Sequence, residues 1–165
     1  MTFTSTIRSE ASKCESGSYP PVPFVELRDS FPSDVGIISP LVAQVMQFIS
    51  RYRSGDNFEI ELALSEALAN GIIHGNQEDP QKCVCISCRC STEGDVSITV
   101  QDEGHGFEMD TVPNPTFADN RLSGSGRGIY LMKALMDEVC FEKRGTVVHM
   151  RKGFAIRPGA EGETK

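Results

Sequence analysis

A chain of 165 residues, 39% hydrophobic and 24% charged, has the size of one ordinary domain and enough apolar material to bury a core without staples. Its formal net charge of −7, with no run of Lys and Arg, argues against a role on nucleic acid, where clustered cations must meet the phosphate backbone. No stretch reaches the ~20 apolar residues of a membrane span and no secretory leader is visible, so the six cysteines read as reduced thiols of a cytoplasmic protein.

Residues 1–23 are rich in Ser, Thr, Glu and Pro without periodicity and are expected to form a disordered arm. Residues 24–153 make the ordered domain, and 154–165 a polar tail. The domain opens with a strand over 24–31, stopped by Pro32. Ser33 or Asp34 can cap the helix that follows, Pro40 fits its first turn, and Leu41, Val42, Val45, Phe48 and Ile49 recur at helical spacing as far as Arg53. After a turn at 54–57, a second helix runs over 58–74 and is broken by Gly75, Asn76 and Pro80. Strands at 83–90 and 96–102 flank a hairpin turn at 92–95. The stretch 103–127 is rich in glycine and proline and has no period; a connection of that length inside a compact domain is usually functional. A third helix over 128–139 aligns Ile129, Met132, Leu135, Met136 and Val139 on one face. Residues 140–142 and 146–151 close the domain as a hairpin across Lys143, Arg144 and Gly145. Hairpin strands with helices between them indicate an α+β fold: a two-layer sandwich whose mixed, mostly antiparallel sheet is covered on one face by three helices.

The second helix is the most informative segment. At about 100° per residue, Glu59, Glu66, Asn70 and His74 fall in one narrow arc, while Leu64, Leu68 and Ile72 populate the back. A helix that is apolar nearly all round is largely buried, and a buried carboxylate is costly without a partner. A stripe facing solvent between apolar shoulders satisfies the same pattern; the functional alternative is a cation or polar ligand lying along it. Glu66 and Asn70, one turn apart, offer a carboxylate and an amide oxygen, ligands of the kind that suit Mg2+. His74 alone is weaker evidence.

Two glycine-rich segments follow. Asp102-Glu103-Gly104-His105-Gly106 begins directly after a strand. Its acid can accept from an exocyclic amine such as that of adenine, and its glycines let the backbone turn sharply and approach a ligand, although the same residues also make a common turn. Gly124, Gly126 and Gly128 precede the third helix, where the first N–H groups form a natural phosphate site. Neither the Walker pattern nor a dinucleotide fingerprint fits this spacing. Cys83, Cys85, Cys88 and Cys90 lie on one strand, the first two facing opposite to the last two, so a single ion cannot gather them; they read as small apolar strand residues.

In order and spacing these segments resemble the GHKL ATPase/kinase superfamily, most closely its bacterial anti-sigma-factor serine/threonine kinases. The resemblance rests on Ser65-Glu66-Ala67-Leu68-Ala69-Asn70 with His74-Gly75-Asn76, and on Asp102-Glu103-Gly104-His105-Gly106-Phe107. It continues through Gly126-Arg127-Gly128-Ile129, Leu135-Met136-Asp137-Glu138-Val139 and Gly145-Thr146, and covers 24–151. It implies the Bergerat ATP-binding fold, with ATP and Mg2+ held between helices and glycine loops. By position Glu66 looks like the catalytic base, Asn70 the Mg2+ ligand, Asp102 the adenine reader and Thr146 its support. Gly104 and Gly106 would shape the adenine end; Gly124, Gly126 and Gly128 would wrap the phosphates, with His74 part of the same nucleotide-binding set. Arg127 stands where these kinases more often carry an apolar residue, and either contacts phosphate or faces solvent. The lid, 108–123, holds a single arginine, Arg121.

The resemblance further implies an ATP-binding anti-sigma regulatory factor that phosphorylates an anti-anti-sigma antagonist of the STAS type. It would release a sigma factor or similar client by partner switching, without direct contact to nucleic acid or membrane. A homodimer would use the first strand and helix. A non-catalytic, ATP-dependent binding module is the alternative; the ATPase part of a gyrase- or chaperone-like machine is disfavoured, since no transducer domain follows Arg151.

Overall fold

Side chains alternate between two environments along the central strands, and this alternation organises the molecule. In a computed structural model of the chain, the described residues are 4–8 (main chain only), 23–106 and 127–153. In chain order they form β1 (Thr4–Arg8), β2 (Phe24–Pro32), a 3-10 turn (Val35–Ile37), α1 (Ile38–Ile49), α2 (Phe58–Ala69) continuing into a π-helical turn (Asn70–Gly75), β3 (Cys83–Ser91), β4 (Val96–Gln101), α3 (Arg127–Leu135), β5 (Glu138–Glu142) and β6 (Val147–Lys152). The sheet has six strands in the order β1-β2-β3-β4-β6-β5. Every neighbouring pair is antiparallel, so the expected parallel admixture does not occur among the described residues.

On β3, Val84, Ile86, Cys88 and Cys90 are buried while Cys83, Cys85, Ser87 and Arg89 are not. The buried set joins Val96, Ile98 and Val100 of β4 and Met150 of β6 to form the floor of the core. All three helices lie on this side, contributing Val45 and Ile49 from α1, Ile60, Leu64 and Leu68 from α2, and Met132 from α3. α2 packs against α1, α3 and β4 at once, which is why its sequence is apolar almost all round. Each fully buried Leu or Ile contributes about 1.5–3 kcal/mol. The cysteines fall as strand alternation requires. Hydrogen bonding to Cys90 and burial hold the Cys88 thiol well above the ordinary range, and no group of three or more His, Cys, Asp or Glu suited to a metal exists among the described residues. No helix among those residues is long and apolar enough to cross a membrane.

Three elements differ from expectation. β1 lies within 1–23, the stretch assigned to an arm by composition; it pairs in register with β2 from Thr4↔Arg28 to Arg8↔Phe24, and Thr4, Thr6 and Ile7 are β-branched residues that favour a strand. The remainder of that arm, the lid and the tail 154–165 lie outside the described residues. The third helix stops at Leu135 instead of 139. The Asp137 N–H turns to the carbonyl of Arg151 (3.0 Å), its carboxylate accepts the N–H of Gly153 (2.8 Å), and Glu138 pairs with Arg151 in register and through a 2.9 Å ion contact. Strand pairing therefore wins over helical continuation, and Val139 belongs to β5. The second helix does reach Gly75, but its last turn widens: the Asn76 N–H bonds the Gly71 carbonyl (2.8 Å), a step of five residues.

Arg53, which periodicity marks only as a helix end, is buried at 9% exposure. Its guanidinium donates to the carbonyls of Gly94 (2.9 Å) and Gly153 (3.0 Å) and to Asn57 Oδ1 (2.9 Å). It thus ties the α1–α2 link to the β3–β4 turn and the end of β6. Replacing it with Met keeps most of the stem but removes these donors; charged hydrogen bonds of this kind are worth about 1.5–3 kcal/mol. Arg53→Met is expected to lower the free energy of unfolding by about 2–3 kcal/mol, measured as a shift of the urea midpoint.

Candidate functional site

The last α-helical turn of α2 brings Glu66 and Asn70, both half-buried, beneath the start of α3. The approach is close: a Cβ on Gly128 would lie 2.7 Å from Glu66 Oε2 and 3.2 Å from Asn70 Nδ2. Glycine lets α3 pass here without displacing the Glu66 carboxylate, so Gly128 of the second glycine segment meets the helix stripe. No ion pair engages Glu66 or Asn70 among the described residues.

The other members of the stripe leave it. Glu59 binds Lys152 Nζ at 2.7 Å; the same ammonium donates to the Leu135 carbonyl (2.7 Å) and reaches Asp137 (3.4 Å). Glu59 is therefore part of a brace joining the start of α2, the end of α3 and β6. His74 lies beyond the point where the helix widens to five-residue hydrogen bonding, so the 100° projection no longer applies, and it is exposed.

That same π-helical turn carries Gly71 and Gly75 against Asp102. A Cβ on Gly75 would fall 2.5 Å from both Cγ and Oδ1 of Asp102, and one on Gly71 would lie 3.5 Å from its Cβ. A Cβ on Gly104 would run into the carbonyl of Gly75. Asp102 sits at the end of β4, its N–H donating to the Thr146 carbonyl (3.0 Å) and its Oδ1 accepting the N–H of Gly104 (2.8 Å). Burial pushes its carboxyl above the ordinary value of 3.8, against the downward pull of Gly104 and of nearby Lys82. Thr146 supports Asp102 through its main chain; its hydroxyl, where the resemblance looks for side-chain support, donates to the Lys143 carbonyl at 3.0 Å. Gly106 adopts φ +74°, with Arg144 O where a Cβ would stand. Arg127 begins α3 and is exposed. Gly124, Gly126 and Arg121 lie outside the described residues.

The structure thus places Glu66, Asn70 and Gly128 together at one end of the candidate site and Asp102, Gly104 and Thr146 together at the other. The sequence pattern did not mark Gly71 or Lys82, and it marked Gly75 only as a helix breaker and as part of the His74-Gly75-Asn76 motif. The two glycines did leave a signal, since a glycine inside a helical pattern costs about 1 kcal/mol relative to Ala and calls for a packing reason.

This arrangement is that of an ATPase domain, and residues 31–152 match the family described as "Histidine kinase-like ATPase domain". The chain belongs to that family. Among curated relatives, the anti-sigma F factor of Geobacillus thermodenitrificans is 40% identical over 102 residues, 59% of this chain and 69% of the relative. That of Heyndrickxia coagulans is 33% identical over the same shares, and that of Clostridium perfringens 39% identical over 99 residues, 57% of this chain and 70% of the relative.

Two predictions follow from the glycines and the acid. At Gly128 the obstructing atom is the tip of a flexible side chain, whereas at Gly104 it is backbone. Gly128→Ala should therefore leave thermal stability unchanged or slightly raised while displacing Glu66 and depressing any catalysis that needs it. Gly104→Ala should lower the melting temperature outright. For Asp102, the folded state holds the proton more tightly than the unfolded chain does, so unfolding free energy falls as pH rises from 3.8 through the raised folded value. Asp102→Asn should stabilise the unliganded protein at pH 7 and not below pH 3.8, as followed by thermal melts across that window.

Proposed function

We propose that this chain is an ATP-binding anti-sigma regulatory factor with serine/threonine protein kinase activity toward a STAS-type anti-anti-sigma antagonist, acting by partner switching in the cytoplasm. Residues 24–153 are its ATPase domain, and its client is a sigma factor or a similar protein. The observation that carries this reading is the meeting of Glu66, Asn70 and Gly128, in a chain whose similar relatives bear the name anti-sigma F factor.

The residues fit Mg·ATP in kind. Asp102 offers a half-buried carboxylate whose accepting capacity is not exhausted by Gly104. In this role it accepts the exocyclic amine of adenine. The first N–H groups of α3 would meet phosphate, as helix N-termini do, and Gly124, Gly126 and Arg127 would extend that cradle. Mg2+ on the Asn70 side-chain oxygen would offset the charge of the phosphates. Glu66, which makes no ion pair among the described residues, would receive the proton of the attacking Ser or Thr hydroxyl. Phosphoryl transfer asks mainly for positioning and charge neutralisation, so a carboxylate set against the start of α3 is sufficient protein machinery.

The test is transfer from radiolabelled ATP to a candidate STAS antagonist. Wild type should transfer, and Glu66→Gln should lose about 10²–10⁴-fold in rate, the range for a general base, while still binding ATP. Transfer absent from both would remove the kinase assignment and leave a nucleotide-dependent binding module. ATP affinity unchanged in Asp102→Asn and in Asn70→Ala would remove the pocket itself.

A further inference from the structure

Asn76 is wholly buried, at 0% exposure, although it follows directly on an exposed histidine and a glycine and has the look of a helix terminator. Its side-chain amide is fully engaged. Nδ2 donates to Ser33 Oγ (2.6 Å) and to the Cys83 carbonyl (2.9 Å), and Oδ1 accepts the N–H of Glu103 (2.8 Å). Glu103 in turn accepts the N–H of Cys83 through Oε2 (2.6 Å). Asn76, Cys83 and Glu103 therefore close a ring of three hydrogen bonds linking the π-helical turn, the start of β3 and the loop after β4.

The neighbours of this ring are the residues packed around Asp102. Gly75 precedes Asn76, while Asp102 and Gly104 flank Glu103, and it is Gly75 that packs on the Asp102 carboxylate and the Gly104 backbone. Contacts this tight leave Asp102 no independent choice of position: it goes where the Asn76–Glu103 bond holds the two segments. We infer that Asn76 is a positioning residue for base recognition, setting the place of the Asp102 carboxylate without touching the nucleotide. The inference rests on the reading of Asp102 as the acceptor for adenine. It also accounts for an asparagine here: one side of its amide must donate twice and the other must accept, which neither aspartate nor an apolar residue can do.

The full chain is titrated with Mg·ATP and with Mg·ITP, which has a carbonyl where ATP has the amine, alongside thermal melts. Wild type should prefer ATP. Asn76→Asp keeps the size and the acceptor for Glu103 but sets an oxygen against the Cys83 carbonyl; the ATP-to-ITP preference should fall about tenfold with ITP affinity kept. Glu103→Ala opens the same ring from its exposed side, stands in if Asn76→Asp does not fold, and should lower the preference in the same direction. A folded variant that loses stability but keeps the wild-type preference, or weakens both nucleotides equally, overturns the inference and leaves Asn76 a structural brace. A wild type without preference for ATP over ITP overturns instead the reading of Asp102, and the inference with it.

Discussion

The carboxylate of Asp102 stands where β4 ends, pressed between the π-helical turn and the last hairpin, and much of the local sequence follows from making room for it. Gly75 lacks a side chain because the carboxylate already occupies that space, and Gly104 lacks one because the Gly75 carbonyl does. The strand runs one residue further in hydrogen bonding than its regular span, so that the Asp102 N–H finds Thr146. Removal from water raises the cost of keeping this group ionised, and the Gly104 N–H together with nearby Lys82 offsets only part of it. An acceptor left under-solvated in this way is destabilising in the empty protein and valuable to any ligand that brings a donor, the familiar exchange of stability for function.

The opposite end of the candidate site depends on a different constraint, the passage of α3 over Glu66 and Asn70. Here the close neighbour is a mobile side-chain tip and not backbone. The two ends are thus built to different tolerances, rigid at Asp102 and adjustable at Glu66. An adjustable carboxylate suits a group that must take a proton from an incoming hydroxyl, whereas a base-reading acceptor gains from being fixed.

The parts that could be read in advance were those governed by local periodicity. The apolar back of α2, the β3–β4 hairpin with its opposed cysteine pairs, and the spacing of Glu66 and Asn70 all depend on short-range geometry, and all appear as expected. The misreadings share the opposite character. Glu59 departs from the stripe because its partner, Lys152, lies at the far end of the chain. His74 departs because a π-helical turn breaks the period used to place it. Val139 kept a helical rhythm that sheet pairing with β6 overruled, and β1 depends on its partnership with β2, which the composition of the arm as a whole concealed. The burial of Arg53 and Asn76 was not legible for a related reason: each is polar and buried only because distant main-chain atoms converge on it.

The strand order has a consequence for how the chain acquires its shape. Three pairings, β1 with β2, β3 with β4 and β5 with β6, join neighbours in sequence, but β2 must wait for β3 until both α1 and α2 have been made, and β4 meets β6 only near the end. At a synthesis rate of about 5–20 residues per second, the roughly 50 residues from the end of β4 to the end of β6 take on the order of several seconds. Throughout that interval β4, which becomes an interior strand, has one open edge, and Ile98 and Val100 lack part of their cover. The thread that closes this edge also carries Thr146, so the nascent protein completes its sheet and the main-chain support of Asp102 in the same event.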